Sequence, residues 1–230
     1  MNAVLRFADA REAADLAAFL GRLIHYDRAA AVRLQAGGGA LAVFGRPPSF
    51  EVLAIRTARL RDESAAFDVT VSAGELLESL DETASTARVP AAVTGPPWAG
   101  VLPPRGGWQP VPGLPEPERM RGAVAAAVAE FRARDEALPE ARRNRAEREL
   151  IGHEIWSRTL GSTELPLRAV HAAQSLGFLR PARVLASAGA PAAPEPVALF
   201  ASGPWLRLRT PYGSVVVRRA GLGGLTVSPV

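Results

Sequence analysis

The chain of 230 residues contains no cysteine and no lysine. Without cysteine there is no disulfide framework, no thiol nucleophile and no cysteine-ligated metal. No apolar run approaches the roughly 20 residues that a membrane-spanning helix needs. Met1–Leu20 carries Asp9, Glu12 and Asp15 inside its apolar pattern, unlike a secretory leader. A cytoplasmic location and no membrane partner are therefore expected. Aromatic residues are also scarce, 6% of the chain against 48% hydrophobic residues. Alanine supplies much of the apolar content, so each Leu, Val, Ile, Phe and Trp carries more of the core.

All 27 basic residues are arginine, against 23 acidic ones, a formal net charge of +4. An all-arginine set lifts the sequence pI to about 10.7, because every positive charge has an arginine pKa. The small excess permits contact with nucleic acid without requiring it. With its abundant Ala, Gly, Pro and Val, the composition resembles that of proteins from GC-rich genomes such as those of actinobacteria.

Ala3–Phe7 reads as a strand. Asp9 stands three residues before Glu12, the spacing of a capping box. Ala13, Leu16, Ala17, Leu20, Leu23 and Ile24 then predict a helix over 9–24. Ala30–Gln35 and Ala40–Gly45 flank Gly37-Gly38-Gly39 as a hairpin. Glu51–Leu60 and Phe67–Val71 are further strands, and Ser72 caps a short helix ending at Leu80. This order is similar to one repeat of a DNA sliding clamp, with Val69–Leu77 entering the second helix. A clamp needs several such repeats, and the chain has room for one.

Pro90, Pro96, Pro97, Pro103, Pro104, Pro110, Pro112 and Pro115 then exclude a long helix or a central strand. Trp98 and Trp108 lie among them. Two large aromatics favour a connector pinned to the body of the protein over a free proline-rich ligand for another protein. Helix resumes over 116–134, with Met120, Val124, Ala127, Val128 and Phe131 on one face. Pro139 is expected to open a second helix running to Leu160, with Leu150, Ile151, Ile155 and Trp156 inward. A third helix runs from Pro166 to Leu176, capped by Thr163 and ended by Gly177. Short strands follow at Ala182–Ser187, Val197–Ala201, Trp205–Thr210 and Val215–Arg218, with a loop over Ala188–Pro196 and a tail from Gly221.

The expected fold class is α+β. An N-terminal strand-helix-strands-helix domain covers 1–82, a Pro/Trp-rich connector 83–116, and a helical domain with a small antiparallel sheet 117–230.

Catalytic motifs are missing. His25, His153 and His171 lie far apart in the sequence, and Ser157 stands where a zinc-protease helix opening on His153-Glu154 needs its second histidine. There is no Gly-x-Ser-x-Gly elbow. Gly37-Gly38-Gly39 and Gly221-Leu-Gly-Gly lack the lysine of a phosphate loop. Glu75, Glu78, Asp81 and Glu82 cluster about a helix, as an ordinary solvated face does. No catalytic residue, metal or cofactor is expected.

From Glu149 to Arg219 the order is helix, turn, helix, then arginine-bearing strands joined at Pro211-Tyr212-Gly213. This layout resembles a winged helix-turn-helix, a fold that usually binds DNA. The resemblance implies a second helix presenting Arg168, His171 and Gln174 to base edges, and a wing whose Arg207, Arg209, Arg218 and Arg219 meet phosphates. Arg142, Arg143, Arg145 and Arg148, the densest basic cluster, would add phosphate contacts. Glu140, Glu147, Glu149 and Glu154 are interspersed as helix-surface partners, so the same arginines also fit a plain solvated face. The expectation is non-catalytic binding, with double-stranded DNA as the first partner. The alternative is a protein partner or a second copy of the chain, the strands after Gly177 closing into a small barrel.

Overall fold

The structure is a computed structural model that describes residues 3–96, 98, 102–181 and 196–219. The strand expected over Ala182–Ser187, nearly all of the loop over Ala188–Pro196, and the tail from Gly221 lie outside the described residues. The fold is α+β, as its mixed periodicities imply.

After strand β1 (Val4–Arg6), Asp9 caps helix α1 (Ala10–Tyr26) by accepting the Glu12 amide at 3.0 Å. Strands β2 (Ala31–Gly37) and β3 (Ala40–Gly45) form the hairpin, turning through Gly38 and Gly39 at φ 56° and 72°. Glycine adopts this left-handed conformation without a Cβ penalty. Strands β4 (Leu53–Arg59) and β5 (Phe67–Ser72) follow, and Ser72 caps helix α2 (Ala73–Glu78). β1 joins β6 (Leu80–Asp81) and β7 (Thr86–Arg88) in a separate three-stranded sheet, order β1-β7-β6.

Within the proline-rich segment lies strand β8 (Gln109–Val111), at the end of a sheet, where Pro110 is tolerated. Helix α3 spans Pro117–Glu136. Pro139 does not open the next helix. A 3₁₀ turn, Glu140–Arg142, intervenes, and helix α4 (Arg145–Ser157) starts at Asn144, whose side chain accepts the Glu147 amide at 3.0 Å. Ile151 and Ile155 are buried as expected, but Leu150 is 66% exposed. Helix α5 (Leu167–Ser175) begins after Pro166 with no side-chain cap; Thr163 instead bonds the Leu160 carbonyl and the Leu165 amide.

Strands β9 (Ala198–Ser202), β10 (Trp205–Thr210) and β11 (Gly213–Arg218) do not stand apart as a wing or close into a barrel. They continue one eight-stranded antiparallel sheet, order β5-β2-β3-β4-β11-β10-β9-β8. The seam is β4 against β11, with Ile55 opposite Ser214, Ala54 opposite Val215 and Leu53 opposite Val216. Burial explains this placement. Val215, Val216 and Val217 are all buried, as are Leu53, Ala54 and Ile55. Such runs need cover on both faces, which the main core supplies on one side and the cluster with Trp98 on the other.

On one face Leu34, Val43, Ala54, Leu206, Leu208 and Val215 pack with the helices into the main core. The opposite, outer face holds a second cluster, Phe44, Leu53, Ile55 and Val216, closed by Trp98. Trp98 is 7% exposed and donates its indole N–H to Thr70 Oγ1 at 3.1 Å, while Trp108 donates to the Pro104 carbonyl at 3.1 Å. The connector is thus pinned across the sheet by its tryptophans. Among the described residues, no helix is long and apolar enough to cross a membrane.

Candidate functional site

The basic cluster around α4 is matched by carboxylates and carbonyls. Arg142 donates to Glu147 Oε1 at 3.0 and 2.6 Å, Arg145 to Glu149 Oε1 at 2.6 Å, and Arg148 to Asp135 Oδ1 at 2.7 Å. Arg143 donates to the Glu136 and Leu138 carbonyls at the end of α3, closing orphan acceptors of that helix terminus. Between α3 and α4, Arg158 bridges Glu130 and Glu154, and Arg134 also bonds Glu154. These two guanidinium groups hold the Glu154 carboxyl down to about 2. Cations already balanced in this way offer little net field to a polyanion.

Helix α5 is not displayed for reading bases. Leu167, Ala169, Val170, Ala172 and Ala173 are buried. The His171 ring stacks on Trp156 at 4.3 Å and meets Phe50 edge-on at 5.1 Å, so it is half-buried and packed between two rings. Burial pushes its pKa below the usual histidine value, favouring the neutral ring. Arg168 is mostly covered and lies 3.7 Å from Glu51. Of these three residues only Gln174 is exposed. The cover comes from α4 on one side and from a turn in which Ser49 and Glu51 take φ 69° and 52°, with Phe50 between them.

Arg207, Arg209 and Arg218 do come together. In the β10–β11 register Trp205 faces Arg218, Arg207 faces Val216 and Arg209 faces Ser214, which places all three arginines on the outer face, opposite Leu206 and Leu208. Each guanidinium lies over an aromatic ring: Arg209 over Phe200 at 4.7 Å, Arg218 over Trp205 at 4.7 Å, Arg207 over Trp108 at 5.8 Å. The described segments that build this surface, 102–111 and 198–218, contain no Asp or Glu. Arg219 belongs elsewhere, pairing with Glu164 at 3.2 Å. The aromatic members were not foreseen from the sequence. The signal was Trp205-x-Arg207-x-Arg209 alternating with Leu206 and Leu208.

A further ionic cluster lies at the helix-side face. Arg56 of β4, 6% exposed, donates to Glu12 Oε2 at 2.9 Å, Asp15 Oδ2 at 3.5 Å and the Tyr212 carbonyl at 3.3 Å. Arg180 bonds the other Asp15 oxygen and lies 3.8 Å over the Tyr212 ring. Burial lowers the Arg56 pKa, opposed by the charges of Glu12 and Asp15. The cluster ties the two halves of the chain together. Among the described residues no group of three His, Cys, Asp or Glu is placed to hold a metal ion.

Residues 103–222 match the family model described as a domain of unknown function, DUF8185, and residues 1–100 match a second, DUF8010, also described as a domain of unknown function. No curated protein and no solved structure matches the chain significantly. The two matched segments meet in one sheet at the β4–β11 seam.

Proposed function

The chain belongs to the DUF8185 family, and we propose that it is a non-catalytic nucleic-acid-binding protein that holds a single strand across the outer face of its sheet. The observation that carries this reading is the row of three guanidinium–ring pairs on β9, β10, β11 and the connector, built from described segments without Asp or Glu. Arginine cation–π contacts beside aromatic rings recur on surfaces that hold single strands. A flat sheet bearing aromatics and arginines suits unpaired bases and their backbone. Duplex DNA needs an element that enters a groove, and the residues on α5 expected to do so are packed, apart from Gln174. Single-strand binding is therefore favoured over duplex binding. Among the described residues the exposed large hydrophobics, Val4, Tyr26, Val93 and Leu150, come from separate parts of the chain, and apolar residues scattered singly over a surface are ordinary.

Fluorescence anisotropy with a labelled mixed-sequence single strand and the matching duplex, at about 50 and about 200 mM salt, tests the reading. The single strand should bind more tightly, with an affinity that falls steeply with salt. Replacing Arg207 and Arg209 by alanine should flatten the log–log salt slope by about 0.7 per lost phosphate contact. Absence of binding at the lower salt overturns the proposal. Binding to the duplex alone returns the assignment to the helix-turn-helix layout.

A further inference from the structure

On the helix side of the sheet, a pocket of about 490 Å³ opens between α4, the first turn of α5 and the turn before β4. That volume is within the range of roughly 300–1,000 Å³ that small-molecule sites occupy. The pocket shares no lining residue with the guanidinium–ring row. Ser49 and Glu51 come from the segment matched by one family model, and the other walls from the segment matched by the second. Ligand sites favour boundaries of this kind.

The charges in the pocket are not all satisfied. Arg145 donates to Glu149 at 2.6 Å, so these two are already matched. Arg168 is not. Its side chain is only 20% exposed, yet Glu51 Oε2 stops 3.7 Å from Nε. That Nε is buried and has no hydrogen-bond partner among the described residues. A covered guanidinium without a hydrogen-bonded anion is unfavourable, and its planar fork suits a carboxylate. Glu51 itself belongs to a strained turn. Ser49 and Glu51 both take left-handed φ, 69° and 52°, around Phe50, which is buried against Tyr26 and His171. Such residues cluster at ligand clamps. The result is an ion pair left open in the wall of a pocket.

Trp156 supplies the one large apolar surface of the lining. His171 stacks on its ring at 4.3 Å. One turn earlier Gly152 has no side chain, and a Cβ there would lie 3.6 Å from Trp156 Cδ1, so that edge of the indole is left uncovered. The remaining walls, Ser49, His153 and Ser157, are polar. The formal charges of two arginines and two glutamates cancel, which suits a zwitterion better than a polyanion. We infer that this pocket binds a free α-amino acid with an aromatic side chain, its α-carboxylate on Arg168, its α-ammonium at Glu51 and its ring against Trp156. The site is independent of the strand-holding face.

Calorimetric titration of the whole chain with L-phenylalanine, 3-phenylpropionate and 2-phenylethylamine is the test, since the second lacks the ammonium and the third the carboxylate. L-phenylalanine should bind at least about tenfold more tightly than either analogue, and should raise the melting temperature. Arg168→Gln should weaken it by about 10- to 100-fold, the range expected for one charge-assisted hydrogen bond. Glu51→Gln, at an exposed position, should weaken it by about tenfold without weakening 3-phenylpropionate. A thermal melt of each variant shows that it remains folded, and Glu51→Gln decides alone if Arg168→Gln does not fold. Absence of L-phenylalanine binding at about 10 mM, either analogue binding as tightly as the amino acid, or an affinity unmoved by the folded variants overturns the site.

Discussion

Arg56 of β4 and Glu12 of α1 form a buried ion pair at 2.9 Å, and the same guanidinium reaches across to the Tyr212 carbonyl at 3.3 Å. One side chain thus links the first helix, the middle of the sheet and the turn before its last strand. Removing one partner of a buried pair leaves an uncompensated charge, at a cost of about 3–5 kcal/mol. Asp15, at 3.5 Å, should keep Glu12→Ala at the low end of that range. Urea unfolding should show the loss, and the double variant Glu12→Leu with Arg56→Met should recover most of it. A double variant as unstable as the single one would show that the charge is not what matters.

Gly213 sits where the two family-matched segments meet. A Cβ there would stand 2.9 Å from the Ile55 carbonyl and 2.6 Å from the Phe178 ring. Gly213→Ala should therefore cost about 1–3 kcal/mol through overpacking at the seam. Gly122→Ala, inside α3 with nothing within 4 Å of the added carbon, should instead stabilise by about 0.5–1 kcal/mol, the helix-propensity gain. Denaturant midpoints moving in opposite directions are the expected result.

Trp98 measures how firmly the connector is bound. Trp98→Ala should cost about 3–5 kcal/mol, the range for deleting a buried aromatic, and should also lose the bond to Thr70. A loss below about 1 kcal/mol, typical of surface changes, would make the connector a tether and leave the outer face without its cover.

Stability should fall on acidification in two steps. The folded-state pKa of His171 is lowered from its ordinary 6.5 by burial. The unfolded chain therefore takes up the proton first, and stability present above about 6.5 is lost as pH falls through the depressed folded value. His171→Phe, which keeps a ring between Trp156 and Phe50, should flatten this step in thermal melts. The Glu154 carboxyl, held near 2 against an ordinary 4.5, gives a second loss as pH falls from 4.5 towards 2. Salt and Glu154→Gln should each weaken that second step. An unchanged midpoint profile for either variant would remove that residue from the account.

The elements that were legible in the sequence carry signals acting over three or four residues. Asp9 with Glu12 and Ser72 with Glu75 start helices, and Gly38-Gly39 turns a hairpin. The elements that were not legible lack such signals. β7 and β8 are three residues each, too short for a period and set among prolines. The 3₁₀ turn before α4 depended on whether Pro139 or Asn144 began the helix, and both are competent starts.

The candidate site divides in the same way. By itself the sequence determined an α+β chain, the alternation that puts Arg207 and Arg209 opposite Leu206 and Leu208, and the tryptophans that hold the connector down. Only the tertiary structure decided that β11 pairs with β4, that Phe50 covers His171, and that Trp108 and Phe200 stack with those arginines. The reason is range. Periodicity tells which face of an element is apolar, but the residue that covers it can come from anywhere in the chain, and that pairing is selected by burial of the whole sheet at once.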